Sequence, residues 1–203
     1  MGQPQAKTRV TFDEYLRLEQ ASSERHQLID GELYAMAGST RTHNALAGAL
    51  FAALRSHLKG KRCTSYISDV KVHVIATGDC FYPDVVVTCD ERDLGPGGDA
   101  LVVRYPSLLI EVLSPSTEAY DRGEKFRVYR LLETLQEYVL VDWGAQRVEV
   151  FRRDPDGGWR FYPSEPGEMA TFESVGLAVD VRELYEGTEV PLFRPRLAET
   201  AGS

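Results

Sequence analysis

Hydrophobic residues along the chain repeat with a spacing that changes between helical and strand-like, and each change marks a predicted element. Thr11 and Glu14 form a capping-box pair ahead of residues with helical spacing, which predicts a short first helix. Two apolar runs then flank Asp30-Gly31, a dipeptide typical of tight hairpin turns. A longer helix is predicted at residues 42–60, where leucines recur every four residues and a glycine provides the stop.

The rest of the chain has mainly the pattern of strands. Strands are predicted at residues 65–75, 82–88, 106–113, 137–143, 147–153 and 159–162, and a helix at residues 121–135. The first two of these strands could pair as a hairpin, and the helix after the third makes a crossover to a parallel strand. The order helix, three strands, helix, strand predicts an α/β fold in which a mixed β-sheet is flanked by helices.

The length of 203 residues fits a single domain. We expect that domain to span residues 1–190. The last thirty or so residues are weakly patterned, and Pro191 and Pro195 suggest a flexible tail at residues 191–203.

The charge balance limits the partners that the protein can bind. A net charge of -8 and a pI near 5.1 argue against a general electrostatic attraction to nucleic acid, so any such contact must use local basic patches. Two patches qualify, residues 55–62 and residues 121–130. Either patch can equally be an ordinary solvated surface.

The three cysteines have no CxxC spacing, and the N-terminus has no secretory signal pattern. Both observations predict reduced thiols in a cytoplasmic protein. No apolar run approaches the roughly 20 residues that cross a bilayer.

Two acidic residues lie in apolar surroundings where an unpaired charge is costly. Glu111 stands inside the run LLIEVL, and Asp84 leads directly into three valines. Each carboxylate must be paired, protonated or bound to a metal. Two carboxylates on adjacent strands would repel each other without a cation between them, and Mg²⁺ prefers oxygen ligands of this kind. Alternatively, Glu111 pairs with a basic residue and Asp84 caps a turn.

Lys125 changes the balance between these interpretations. Asp121 and Glu124 form another capping-box pair, which predicts that the helix begins one residue after Asp121. In that helix Lys125 shares the phase of the apolar stripe and faces the sheet. A lysine in this position needs an anionic neighbour, and Glu111 on the preceding strand is the natural candidate.

Several motifs together resemble the Uma-type family of restriction-endonuclease-like proteins, a branch of the PD-(D/E)XK nuclease superfamily. They are YPDVVV, LLIEVLSPST and DRGEKFRVYR, preceded by LIDGEL and TRTHNAL. The resemblance covers about Phe12 to Phe151. It implies a restriction endonuclease-like fold with the element order given above, and an Mg²⁺-dependent endonuclease acting on DNA, with Mn²⁺ as a substitute ion.

The resemblance also implies roles for individual residues. Asp84, Glu111 and Val112 would form the metal site, and Lys125 would supply the catalytic lysine. In the simplest form of the motif that lysine stands two residues after the glutamate, where this chain has a leucine. Gln27 occupies a position that is often acidic in the family. Glutamine can coordinate or orient a water but brings no charge, which counts against a second metal ion and against full activity.

Further residues are expected around this centre. His43 matches a histidine of the family and is either a hydrogen-bonded core residue or a proton relay. Tyr129, one turn after Lys125, is either a packing residue or a support for the site. The basic residues expected to contact DNA phosphates are Arg55, Lys59, Arg122 and Arg127. A homodimer is expected, because cutting both strands needs two sites.

Two other functions stay open at this point. One is a catalytically weak or inactive nuclease-fold module that binds nucleic acid or a protein, which Gln27 and the acidic net charge favour. The other is a metal-dependent hydrolase of small phosphoesters.

Overall fold

The computed structural model describes residues 9–36 and 38–194, which form an α/β fold of mixed sheets flanked by helices. The helices are α1 (Phe12–Ala21), α2 (Arg41–His57), α3 (Glu91–Leu94), α4 (Glu118–Tyr120), α5 (Phe126–Tyr129) and α6 (Val181–Leu184), and a π-helical turn, Asp121–Lys125, joins α4 to α5. The strands are β1 (His26–Ile29), β2 (Glu32–Ala35), β3 (Thr64–Ile67), β4 (Lys71–Val74), β5 (Asp79–Phe81), β6 (Val85–Thr88), β7 (Val102–Val103), β8 (Pro106–Val112), β9 (Glu137–Val141), β10 (Val148–Arg153), β11 (Trp159–Ser164), β12 (Met169–Phe172) and β13 (Leu177–Asp180). Within these residues, the helices are too short or too polar to span a bilayer.

The strands form three sheets. The largest has the order β11-β10-β9-β8-β6-β3, and a five-stranded sheet has the order β2-β1-β5-β4-β7. Strands β12 and β13 pair with each other. Strand β9 runs parallel to β8, as predicted for the strand after the crossover helix. The predicted turn at Asp30-Gly31 is also present, because both residues adopt positive φ between β1 and β2.

The prediction of a single strand at residues 65–75 is wrong, because this segment divides into β3 and β4, which belong to different sheets. The strand predicted at residues 82–88 is present as β6, which begins at Val85. The three residues before it, 82–84, link β6 to β5 of the other sheet. Ser68 adopts φ 57°, which breaks the strand, and its amide donates to the carbonyl of Asp84 at 3.0 Å. The chain therefore passes between the sheets twice at neighbouring points, and Asp84 lies at this junction.

The predicted helix at residues 121–135 is also displaced. Helical structure begins at Glu118 and ends at Tyr129. Asp121 is not a cap, because it lies inside the helical segment and only 3% of its surface is exposed. The capping-box pattern does not show where the helix begins, because an acidic residue three positions before a glutamate also occurs inside a π-helical turn.

The expectation of reduced thiols is wrong for two of the three cysteines. Cys63 and Cys89 form a disulfide, and Cys80 is free and buried. Thr64 pairs with Thr88 across β3 and β6, so the two bonded cysteines are the next cross-strand neighbours. Their separation of 26 residues gives no sign of this contact in the sequence.

The C-terminal part is more ordered than its pattern indicates. Strands β12 and β13 and helix α6 supply core residues that include Phe172, Val181 and Tyr185. The carbonyl of Pro191 accepts a hydrogen bond from the amide of Gln146 at 2.8 Å. Residues 195–203 of the predicted tail lie outside the described residues, and its flexibility stays a prediction.

Strand β8 separates two hydrophobic clusters. Leu108, Ile110 and Val112 face the cluster that includes the leucines of α2. Leu109 and Leu113 face the opposite cluster, which includes Val128, Tyr129, Leu132 and Leu135. Since strand side chains alternate, Glu111 points to this second face, towards the helical segment that carries Lys125.

A second buried carboxylate, that of Glu137, has a structural role. Its oxygens accept hydrogen bonds from Arg152 Nε at 2.8 Å, the amides of Glu173 and Ser174, and the Ser174 hydroxyl. The side chain is fully buried. Glu137 thus connects β9, β10 and the loop between β12 and β13.

Replacing Glu137 should therefore destabilise the fold. We expect Glu137→Ala to lower the free energy of unfolding by about 3–5 kcal/mol, because the Arg152 guanidinium and two amides lose a buried partner. Urea unfolding followed by circular dichroism measures this change. Glu183→Ala, at an exposed position of α6, is the control and should change it by less than about 0.5 kcal/mol. Equal stability of the two variants would contradict the role given to Glu137.

Candidate active site

Asp84 lies between the two large sheets, directly before β6. Its Oδ2 atom accepts a hydrogen bond from the amide of Val112 at 2.7 Å and lies 3.2 Å from Nε2 of His43. The side chain is 18% exposed. The carboxylate is therefore oriented by a neighbouring strand and a helix while solvent can still reach it.

His43 comes from the first turn of α2, which is fixed by an N-cap. The Thr40 hydroxyl accepts a hydrogen bond from the amide of His43 at 3.2 Å. Burial lowers the pKa of His43, but its hydrogen bond with Asp84, the charge of Asp84 and a hydrogen bond to the backbone of Val112 raise it above the usual value. His43 is partly exposed and bound to Asp84, so it supports the candidate site rather than a closed core.

Glu111 is buried and has two side-chain partners. Its Oε1 atom lies 2.7 Å from Nζ of Lys125 and accepts a hydrogen bond from the Tyr129 hydroxyl at 3.0 Å. Burial raises the pKa of Glu111 above its usual value, and the charges of Asp121 and Asp84 raise it further, while the charge and the hydrogen bond of Lys125 lower it. Tyr129 is thus a direct hydrogen-bond donor to Glu111 and not packing alone.

Lys125 lies between two carboxylates. Its Nζ atom is 2.7 Å from Glu111 and 3.1 Å from Oδ1 of Asp121. Burial lowers the pKa of Lys125, but the charges of Glu111 and Asp121 outweigh burial and raise it above the usual value. The group is therefore an ammonium ion. The predicted pairing of Lys125 with Glu111 is present.

Asp121 is the site residue that the sequence pattern missed. It is buried, contacts Lys125 and acts electrostatically on both Glu111 and His43. Its position four residues before Lys125 is the available signal, because residues at this spacing share a helix face. The capping-box interpretation hides this signal, because it places Asp121 before the helix and not within it.

The strand register places Asp84 near Glu111. Val85 pairs with Ile110 across β6 and β8, so the residues before and after them, Asp84 and Glu111, are the next neighbours in register. No group of three or more histidine, cysteine, aspartate or glutamate residues in metal-binding geometry occurs in residues 9–36 and 38–194. The two carboxylates nevertheless present the hard oxygen atoms that suit Mg²⁺, an ion that keeps several waters when protein ligands are few.

The other predicted site residues lie in less direct positions. Gln27 is opposite Tyr34 in the β1–β2 hairpin and forms no hydrogen bond with a described site residue. Arg122 is paired with Glu118 at 2.8 Å and with buried Glu149, so its charge is neutralised inside the protein.

The remaining predicted phosphate contacts lie on the surface. Arg127 is paired with Glu124 at 2.8 Å. Arg55 and Lys59 are exposed and form no ion pair with a described residue. The four basic residues thus differ in how much charge each can offer to a ligand.

Comparison with known proteins places this chain in a family. The family model described as "Uma2: Putative restriction endonuclease" matches residues 12–182. Uncharacterized protein slr1290 of Synechocystis sp. (strain ATCC 27184 / PCC 6803 / Kazusa) is 37% identical over 179 residues, which are 88% of this chain and 93% of that protein. Uncharacterized protein sll1609 of the same strain is 34% identical over 150 residues, 74% of this chain and 84% of the relative.

A solved structure has the same fold. It is described as "a putative nuclease belonging to DUF820 from Anabaena variabilis ATCC 29413", and it aligns with a TM-score of 0.70 at 21% sequence identity. The alignment covers 87% of this chain and 97% of that one. The family match, the relatives and the shared fold agree with the resemblance seen in the motifs. The chain therefore belongs to the Uma2 family and has the nuclease-like α/β fold of its structural neighbour.

Proposed function

We propose that the protein is a metal-dependent endonuclease that hydrolyses phosphodiester bonds of DNA. The observation that carries this proposal is the buried Lys125 ammonium, held 2.7 Å from Glu111 near the junction where Asp84 is partly exposed to solvent. A positive hydrogen-bond donor beside two carboxylates suits a reaction in which negative charge develops on a phosphate group. Membership of a family described as "Putative restriction endonuclease" supports the same reaction.

The donor atoms fit a hard divalent cation. Asp84 and Glu111 would hold Mg²⁺ or Mn²⁺, with the backbone of Val112 beside them. When bound, such an ion polarises a phosphate oxygen and lowers the pKa of a water molecule. His43 would keep the Asp84 carboxylate oriented, because its imidazole binds the Oδ2 atom from the side of α2.

Lys125 has an electrostatic role in this proposal. A lysine can accept a proton only when it is neutral, and the two carboxylates raise its pKa further from neutrality despite its burial. The ammonium instead donates a hydrogen bond to a phosphate oxygen and stabilises the additional negative charge as phosphorus becomes five-coordinate. Attack by water would leave a 5′ phosphate, as the family resemblance implies.

The proposal predicts a large loss of cleavage when any of the three groups is neutralised. We expect Asp84→Asn, Glu111→Gln and Lys125→Gln each to reduce the rate of Mg²⁺-dependent plasmid nicking by about 10²–10⁴-fold, because each removes a charge used in the transition state. The Asn and Gln that replace the two carboxylates keep side-chain shape, and thermal unfolding shows whether each of the three variants folds. Glu183→Gln is the control and should nick at the wild-type rate. Full activity in all three variants would contradict the assignment.

Asp121 is expected to act mainly through Lys125. Asp121→Asn should reduce the nicking rate by about tenfold, because Lys125 loses one of its two anchors. In a Lys125→Gln background the same change should have a much smaller effect, since no ammonium group remains to be positioned. A double-mutant cycle of single-turnover rates measures this coupling. Additive losses would show that Asp121 contributes independently of Lys125.

A catalytically inactive binding module is the second candidate function. Gln27 favours it, since a neutral amide stands where the family often has an acidic residue, and this amide forms no hydrogen bond with a described site residue. The two functions predict different effects of Mn²⁺ on the protein and on DNA. If the protein is a nuclease, calorimetry should detect Mn²⁺ binding, and Glu111→Gln should abolish that binding. The wild-type protein, which we propose to be a homodimer, should also nick plasmid DNA. DNA binding without any nicking in Mg²⁺ or Mn²⁺ would favour the module.

A hydrolase of small phosphoesters would give another result in the same assays. It would turn over a phosphodiester such as bis-p-nitrophenyl phosphate while leaving plasmid DNA intact.

A further inference from the structure

Side chains of strand β1 alternate between two hydrophobic clusters. Leu28 packs with Cys80 and with residues of α1 in the smaller one. Ile29, the next residue, packs against the cluster that contains Tyr129. Because side chains alternate along a strand, Gln27 lies on the same face as Ile29. This face of the five-stranded sheet is therefore the one turned towards the candidate site.

On this face a row of side chains crosses three strands. Tyr34 of β2 pairs with Gln27 of β1. The antiparallel register of β1 against β5 makes Phe81 the next neighbour of Gln27. The row thus runs from β2, at the edge of the sheet, through Gln27 to Phe81. Neighbouring strands lie about 4.8 Å apart, so the backbone positions of Tyr34 and Phe81 are separated by about 10 Å.

Phe81 connects this row to the candidate site. Its ring contacts the Tyr129 ring edge-on, with 5.2 Å between the centroids, and the centroid of the Phe81 ring lies 5.9 Å from Nζ of Lys125. Tyr129 and Lys125 are the two side-chain partners of Glu111. Tyr34 therefore stands beside the site, two strands away from a residue that contacts both of these partners.

Tyr34 has an exposed ring without a stacking partner. About half of the residue, 49%, is exposed. Within residues 9–36 and 38–194, no aromatic ring or cation stacks on it, and its hydroxyl donates a hydrogen bond of 3.4 Å to Glu32. Tyr162, another exposed tyrosine, differs because the guanidinium of Arg152 lies 4.6 Å from its ring centroid. Met36, two residues after Tyr34, is also exposed, so the apolar surface continues past the end of β2.

Charge alone would not hold DNA beside this ring. The chain has a net charge of -8, and Arg122 and Arg127 are already paired with glutamates. Glu32 adds a carboxylate next to Tyr34. Phosphate groups are therefore poor ligands for this surface, whereas a nucleobase is uncharged and has a flat π face. Aromatic side chains stack on bases in this way with little regard to sequence.

The face of a base is accessible only where the base is not stacked in a duplex. Each base pair of a duplex is covered by its neighbours, and moving a base out of the stack costs free energy. Unpaired nucleotides in single strands, loops or flaps present their bases at a lower cost. An exposed ring beside the candidate site thus suits DNA with unpaired bases better than a continuous duplex.

We propose that Tyr34 stacks on an unpaired base of the substrate DNA within about three nucleotides of the cleaved bond, so that DNA with unpaired bases is the preferred substrate. The position follows from the separation of about 10 Å between Tyr34 and Phe81 and a rise of about 3.4 Å per nucleotide. The inference rests on the proposed nuclease function and adds the class of DNA that the site accepts. Tyr34 positions the substrate and takes no part in the chemistry.

DNA binding without divalent ions tests the ring separately from cleavage. Fluorescence anisotropy in EDTA compares a labelled single strand of 12 nucleotides with the duplex of the same sequence. We expect wild type to bind the single strand more tightly. Tyr34→Ala should weaken this binding by about 5- to 150-fold, the usual effect of removing one stacked aromatic side chain. The slope of log affinity against log salt should stay unchanged, because no phosphate contact is lost.

Further variants separate stacking from other effects. Tyr34→Leu keeps an apolar side chain without a flat ring and should lose binding as Tyr34→Ala does, whereas Tyr34→Phe keeps the ring and should bind like wild type. The matched control is Tyr162→Ala, which removes an exposed tyrosine from β11 and should also bind like wild type.

Four results would overturn the inference. Tighter binding of the duplex by wild type is one, and an equal loss in Tyr34→Phe and Tyr34→Ala is another, because the hydroxyl and not the ring would then carry binding. An equal loss in Tyr162→Ala is the third. The last is unchanged DNA affinity of Tyr34→Ala with a change of molecular mass in light scattering, which would assign Tyr34 to a contact between two copies of the chain.

Cleavage of two substrates completes the test. One is a 24-base-pair duplex, and the other is the same duplex with four unpaired nucleotides at its centre. Wild type should have the higher kcat/KM on the second, and Tyr34→Ala should lower that preference by about tenfold, mainly through KM. Equal cleavage of both substrates by wild type would overturn the inference and leave the proposed function standing. Absence of cleavage of either substrate would refute the proposed function, while the anisotropy result would still decide whether Tyr34 binds unpaired bases.

Discussion

An ammonium group buried among carboxylates is the interaction on which the arrangement of the candidate site depends. Burying a lysine without a partner costs several kcal/mol, and two buried acids carry a similar cost. Lys125 reduces both costs because it contacts Glu111 and Asp121 together. With Asp84 nearby, three carboxylates share one ammonium ion. In the proposed function, a divalent cation that binds phosphate would compensate the remaining negative charge.

The backbone delivers these groups through the junction between the sheets. The chain leaves one sheet at Ser68 and returns near Asp84, and the hydrogen bond between these residues fixes the crossing point. Asp84 consequently stands at a strand end, where its side chain can be both oriented and solvated. Glu111 lies within a central strand and depends on the helical segment above it for partners. The two acids therefore have different environments, which explains why burial raises the pKa of Glu111.

Local patterns predicted those parts of the structure that depend on local interactions. The Thr11 cap, the Asp30-Gly31 turn and the parallel pairing of β8 with β9 follow from short sequence signals and are present. The pairing of Lys125 with Glu111 followed from helical phase and the cost of a buried charge.

Features that depend on contacts distant in sequence could not be predicted in this way. The division of residues 65–75 between two sheets results from tertiary pairing, since its valine alternation is equally compatible with one long strand. The disulfide between Cys63 and Cys89 depends on the register of β3 against β6. The sequence assigns Asp121 to a helix cap, whereas it lies inside the helical segment, because both positions can have the same local motif.

The π-helical turn at residues 121–125 has a consequence for how this segment can change in length. Such a turn holds one residue more than a turn of α-helix, and Asp121 and Lys125 stand at its two ends. A π-helical turn accommodates one extra residue while the α-helical turns on either side stay continuous, so deleting one residue inside it would restore regular α-helical winding. Asp121 and Lys125 would then stand three residues apart, a spacing at which side chains still share a helix face. The pairing of the aspartate with the lysine therefore restricts which residues stand at the two ends more than it restricts the length of the segment between them.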